Sequence, residues 1–281
     1  MRDTPTTVAN GSDAAVFAAN RATGRIALAV GADGNSTRRT HVREEGSLRV
    51  RFPNAAPELL ETVLINTAGG MAGGDAFSIK LSLGAGASLL AGTAAAEKIY
   101  RSTGPDTTVA LAIDAAAGSQ CLWLPQESIL FDRAKLSRRI DIDLAMDASL
   151  VMAEAVVFGR SAMGELVHEG RLIDRWRVRR GGRLIFAEGV RLDGAIDAKL
   201  AQPAVAASGV AIATALLIPG DEEKAAAVRE VKAHFTGEVG ISAWNGIAVA
   251  RLCARDGAVL RHDLALLLAT LGVSLPRLWL Q

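Results

Sequence analysis

Five acidic side chains stand out because they sit at turns or inside apolar sequence: Asp75, Glu97, Glu127, Glu154 and Glu165. An ionised carboxylate buried without a partner is strongly disfavoured. Glu154, inside the apolar run Leu150 to Phe158, therefore requires an arginine, a hydrogen-bond donor, water or a cation. Arg160 is the candidate partner nearby in sequence. Two readings stay open at this point: an internal salt bridge, and a hydrated path or transient cation site.

Other chemistry is poorly provided for. His41, His168, His234 and His262 lie in unrelated segments and form no helical i, i+4 pair around a base, so they read as surface or satisfied histidines. Cys121 and Cys253 are too few for a disulfide framework and too isolated for paired zinc ligands. There is no Gly-x-Ser-x-Gly elbow to present a nucleophile.

The stretch Asn66-Thr-Ala-Gly-Gly-Met-Ala-Gly-Gly-Asp75 places Gly69, Gly70, Gly73 and Gly74 between two predicted strands. Such density suits positive φ or a closely approached backbone. A phosphate loop needs a helix N-terminus after its glycines, whereas a strand follows here. Locally, this is a tight turn in which Asp75 caps its own backbone.

Stepping outward from these residues, the chain predicts strand after strand at short spacing. Arg25 to Val30, Ser47 to Phe52, Glu61 to Ile65, Ala76 to Leu83, Ser88 to Ala91, Lys98 to Arg101 and Thr107 to Ile113 are punctuated by glycine turns. Arg138 to Met146 alternates, with Ile140, Ile142, Leu144 and Met146 opposite Arg139, Asp141 and Asp143. Leu150 to Phe158 reads as buried on both faces. Arg171 to Arg179 alternates Arg and Ile with Leu, Asp, Trp and Val, and Gly181-Gly182 turns it back into Arg183 to Ala187. Val205 to Ile218 is too short and too interrupted to span a bilayer and reads as a buried strand with its lead-in.

Two segments predict helix. One starts at the N-cap Asp221 and runs towards Gly237; the other runs from about Ala258 to Leu271, with Gly272 as its C-cap. Asn245-Gly246 between them is a strong hairpin signal. The fold class is mainly β: a β-helical or stacked-sheet body with a small two-helix C-terminal portion, in one domain over 21–281 after a loose 1–20.

Composition narrows the partners. With 31 basic and 30 acidic residues in 281, the net charge of +1 gives no electrostatic case for nucleic acid or an anionic membrane. The arginine-rich strand is read as a solvated sheet face. The unpaired cysteines and the N-terminus, which resembles neither a signal nor a transit peptide, fit a reducing cytoplasm. A mean hydropathy of +0.24 leaves room for an apolar face turned to a protein partner.

Four stretches carry a family likeness. They are Gly69-Gly70-Met-Ala-Gly-Gly74-Asp75, Thr93-Ala-Ala-Ala-Glu-Lys98-Ile-Tyr100-Arg101, Trp123-Leu-Pro125-Gln126-Glu127-Ser-Ile-Leu-Phe131, and Glu154 with Gly159-Arg160-Ser-Ala-Met-Gly164-Glu165. In order, and with the Pro276-Arg277-Leu-Trp279 tail, they resemble the urease accessory proteins of the UreD (UreH) type from about Arg25 to the C-terminus. The resemblance implies a β-helical body and a non-enzymatic scaffold that binds urease and UreF, through which the GTPase UreG is recruited. It also implies nickel in transit through an internal water-filled tunnel, with no tightly bound cofactor. Gly69, Gly70, Gly74 and Asp75 would shape the first motif; Lys98 and Tyr100 belong to the second, Trp123, Pro125, Gln126 and Glu127 to the third, and Arg160 and Glu165 to the fourth.

A conduit for nickel should bind weakly, and scattered carboxylates do so where imidazole and thiolate clusters would trap the ion. Asp75, Glu154 and Glu165 are therefore expected to line or approach the path. Ala94 departs from the family's usual Gln, which removes a polar role there. The rival expectation is a β-rich, carboxylate-based metal-dependent enzyme, which would hold metal tightly and turn over alone.

Overall fold

A computed structural model describes residues 21–53, 58–160 and 163–279, so the expectation for residues 1–20 lies outside the described residues. The chain starts with a hairpin of β1 (Thr23–Asp33) and β2 (Ser36–Gly46). Ile26, Leu28 and Val30 on β1 point inward, as their alternation predicts. β2 carries no apolar alternation because both of its faces are exposed from Arg38 to Arg43, and it is missing from the sequence reading.

From there the chain winds between two sheets. β3 (Leu48–Arg51), β4 (Leu60–Asn66), β6 (Ser88–Thr93), β9 (Gln120–Trp123) and β12 (Ser149–Phe158) go to one sheet. β5 (Ala76–Leu83), β8 (Thr107–Ala115), β11 (Lys135–Leu144) and β13 (Glu169–Arg180) go to the other. Each circuit lays a strand parallel to its predecessor on both sheets: β4, β6, β9 and β12 in one, β5, β8, β11 and β13 in the other. Two short strands, β7 (Glu97–Ile99) and β10 (Ser128–Leu130), pair with each other, and β10 pairs with β12 at the corner. The body is thus solenoid-like, as the fold-class expectation has it.

The ends are closed by antiparallel strands. β14 (Arg183–Ala195) turns back on β13 through Gly181-Gly182 and completes a seven-stranded sheet in the order β14-β13-β11-β8-β5-β1-β2. β15 (Ala211–Ile218), β16 (Glu238–Trp244) and β17 (Ile247–Ala254) extend the other sheet to ten strands. Asn245 and Gly246 both have positive φ (49° and 78°), as a two-residue hairpin of primed type demands.

Helix α1 (Ile196–Leu200) follows β14 and has no counterpart among the expected helices; α2 (Glu222–Glu230) starts at the expected cap but stops short of Gly237, giving way to a 3-10 turn at Lys232–His234, and α3 (Gly257–Thr270) matches the second expected helix. Asp221 caps α2 by accepting from the Lys224 N–H, and Asp256 caps α3 by accepting from the Val259 N–H.

Two cores share the ten-stranded sheet. Its inner face packs on the seven-stranded sheet through residues such as Leu89, Leu150 and Met152 against Leu81, Ile113 and Ile140. Its outer face, with Ala153, Ala155 and Val157 of β12, packs under Leu260, Leu264, Leu267 and Leu268 of α3. This is why Leu150 to Phe158 is apolar on both faces, and why Glu154, in phase with Leu150 and Met152, points between the sheets. Met146 corrects an expectation: β11 ends at Leu144, so Met146 leaves the apolar row and is 68% exposed.

Candidate functional site

The four motif stretches stack circuit on circuit along one corner of the solenoid, where the chain passes from one sheet to the other. The glycine turn is tied to β7 by Met71 N–H to the Lys98 carbonyl and Tyr100 N–H to the Met71 carbonyl, both 2.8 Å. Gly70 must be glycine: its φ is +146°, and a Cβ there would lie 2.4 Å from the Tyr100 ring. The Tyr100 hydroxyl donates to the Gly69 carbonyl at 3.0 Å, and its ring meets Phe131 edge-on with centroids 5.2 Å apart. Arg160 lies over Phe131, 4.4 Å from the ring centroid, and forks onto Glu165 through Nε (2.8 Å) and Nη2 (3.1 Å). Arg160 is therefore the partner of Glu165 and not of Glu154.

Asp75 is buried, and both of its oxygens are in use: Oδ1 accepts from the Ala22 N–H at 2.8 Å and Oδ2 from the Ala72 N–H at 2.7 Å. It closes the glycine turn onto the start of β1. In the third motif, Gln126 donates to the Leu278 carbonyl at 3.1 Å, and Arg261 of α3 reaches both Gln126 Oε1 and Glu127 Oε2. This motif clamps the helical portion and the tail onto the sheet. Lys98 contributes its backbone to the turn while its side chain is exposed.

Glu154 alone among the three expected conduit residues reaches the interior between the sheets. Its Oε1 accepts from the Trp123 indole at 2.7 Å, and its Oε2 accepts from Arg138 Nη1. The same guanidinium reaches Asp174 through Nε at 3.1 Å and Nη2 at 2.5 Å, and the Trp176 indole donates to Asp174 Oδ1 at 3.0 Å. One buried cation is thus held between two buried carboxylates; the Trp123 indole takes the Glu154 oxygen that Arg138 leaves, and the Trp176 indole shares Asp174 Oδ1 with Arg138 Nε. Burial pushes the Glu154 carboxyl up, Arg138 pulls it down and Asp174 pushes it up again, and the balance stays raised. Burial works against the Arg138 charge, but Asp174 and Glu154 outweigh it and hold the guanidinium protonated.

Two internal cavities meet at this cluster. The first, about 60 Å³, is mainly apolar, with Phe77, Ile79 and Leu111 from one sheet and Leu64 from the other; half-buried Asn66 and Glu97 line it as well. Asn66 Nδ2 donates to Glu97 Oε2 at 3.1 Å, and burial pushes the Glu97 carboxyl up against that bond. The second, about 20 Å³, runs on under β13, β14 and β15 to Thr214 and Glu188. Glu188 in turn pairs with Arg251 across the sheet edges at 2.5 Å. Arg138 and Glu154 line both cavities, so this ion pair stands between two chambers in the inter-sheet space, with Asp174 on the side of the second. Among the described residues no group of three or more His, Cys, Asp or Glu side chains is placed to hold a metal ion.

Arg138 and Asp174 escaped the sequence reading although a signal was there. Arg138 is in phase with Ile140, Ile142 and Leu144, and Asp174 with Leu172, Trp176 and Val178, so alternation alone turns both charges inward. Glu188 carried no such signal, because β14 lacks a clean apolar row.

The family model of the UreD urease accessory protein matches residues 22–280. The chain belongs to the UreD family of urease accessory proteins. A relative from Rhodopseudomonas palustris strain BisA53, named urease accessory protein UreD, is 55% identical over 96% of this chain and 94% of its own length. A second, named urease accessory protein UreD 3, from Bradyrhizobium sp. strain BTAi1, is 53% identical over the whole of both chains. These relatives are accessory proteins and not catalytic subunits, so the chain's role lies in urease maturation and not in turnover of a substrate. Among the described residues no helix is long and apolar enough to cross a membrane.

Proposed function

We propose that this chain is a cytoplasmic maturation scaffold that binds apo-urease and UreF, recruits UreG through UreF, and passes nickel towards the urease active site between its two sheets. The pair of chambers meeting at Glu154 carries the reading: a polar cluster inside an otherwise apolar inter-sheet space is costly to build for packing alone. Nickel is cargo here, handed from carboxylate to carboxylate, with Glu97, Glu154, Asp174 and Glu188 spaced through the chambers. Asp75 and Glu165 serve the same function indirectly, by holding the motif surface in shape.

That surface, with exposed Tyr100 and the Arg160–Glu165 pair, is the face we assign to protein contact, and exposed Met163 and Leu166 beside it supply apolar area. Two experiments test the reading. Size exclusion of the chain co-expressed with UreF and apo-urease should give a co-eluting complex; separate elution of folded components would remove the scaffold role. Ile79→Trp, which fills the first chamber two strands away from Arg138, should leave that complex intact and depress urease activation at limiting nickel. Unimpaired activation would remove the passage.

A further inference from the structure

We infer that Arg138 is a resident counter-cation that keeps the Glu154–Asp174 pair from trapping the metal ion it passes. The inference rests on the passage reading above for its purpose, though its geometry stands alone. Arg138 and Asp174 are register partners on adjacent parallel strands, and Glu154 faces them from the opposite sheet, so the guanidinium occupies the space between two carboxylates. The charges sum to minus one, and the cluster is almost fully buried.

Without the guanidinium, two buried anions would face each other, with Glu154 Oε1 held by the Trp123 indole and Asp174 Oδ1 by the Trp176 indole, while Glu154 Oε2 and Asp174 Oδ2 would lose their partner. Two oriented carboxylates with no competing cation form a divalent site, and a site of that kind retains its ion. With the guanidinium present, a passing ion must displace a tethered cation that returns as soon as the ion moves on. Transit is then an exchange of one cation for another, and both chambers give the side chain space in which to yield.

Among these variants, charge and not shape decides the outcome. The full chain carrying Arg138→Met or Arg138→Gln should retain about one equivalent of nickel per chain after equilibration with nickel chloride and desalting, where wild type prepared identically retains almost none. The same two variants should gain several degrees of melting temperature on adding nickel, because the ion binds the folded state only. Arg138→Lys keeps a cation in place and should behave as wild type in both measurements. Arg138→Gln retains a hydrogen-bond donor, so it covers the case in which Arg138→Met does not fold. Nickel retention by neither neutral variant, or equal retention by Arg138→Lys, would overturn the inference. Retention as expected combined with unimpaired activation by Ile79→Trp would uphold it while removing the passage reading on which its purpose rests.

Discussion

Arg138 and Asp174 are register partners on neighbouring parallel strands, and their side chains meet inside the core at 2.5 Å, where Glu154 joins them from the opposite sheet. Parallel pairing places the two charges side by side on one face, and the second sheet, about one side-chain layer away, brings the third. The first prediction concerns this cluster. Glu154→Gln cannot offer acceptors to both the Trp123 indole and Arg138, since one end of the amide is a donor. One buried donor loses its partner, so the variant should be destabilised by about 1–3 kcal/mol in urea unfolding. It should also slow urease activation at limiting nickel. Unchanged activation would remove Glu154 from the path.

Asp75→Asn separates a structural from a conduit role. An amide nitrogen would face the N–H of Ala22 or Ala72, at a cost of about 1–3 kcal/mol. Thermal unfolding should therefore shift down together with any loss of urease maturation. Slower maturation at an unchanged melting temperature would place Asp75 on the nickel path directly.

Arg160→Ala tests the motif surface. Its guanidinium is bonded to Glu165 and stacked on Phe131 at an exposed site, so the melting temperature should barely move, as is usual for exposed ion pairs. Co-purification with UreF or apo-urease should weaken. A variant that keeps both complexes at wild-type yield would leave the patch with a local structural role.

His168 and Asp197 form an exposed pair at 2.7 Å that reports on pH. The hydrogen bond to Asp197 raises the imidazole above its usual value, and the bond from His168 lowers Asp197. The His168 contribution to stability is complete below its unfolded value of about 6.5 and is lost as pH rises through the raised folded value. The Asp197 contribution is present above its unfolded value of about 3.9 and is lost as pH falls through the lowered folded one. The pair is thus strongest in the mildly acidic range. Proton NMR titration should show the His168 ring titrating above about 6.5 and returning there in Asp197→Asn; an unmoved titration would show that the pair does not form.

Much of the fold was legible because period and punctuation are local. Ala76 to Leu83 is β5 with Phe77, Leu81 and Leu83 inward, Asn245-Gly246 is the β16–β17 turn, and Asp221 caps its helix, each decided by neighbours within a few residues. The edge strand β2, with Arg38, Arg39 and Arg43, left no apolar trace because neither of its faces is covered from Arg38 to Arg43, so no alternation is required of it.

By itself the sequence determined the strand rhythm, the capped helices, the family and the inward direction of Glu154, since alternation sets the face on which a side chain stands. It also held, unread, the inward phase of Arg138 and Asp174. Only the tertiary structure decided that Glu154 meets Arg138 and not Arg160, that Asp75 and Glu165 are consumed by backbone N–H groups and by Arg160, and that the Arg138–Glu154 pair stands between two chambers. The reason is that strand phase gives direction but not neighbour: which strands lie side by side, and which faces oppose across the core, depends on pairing between residues far apart in the chain.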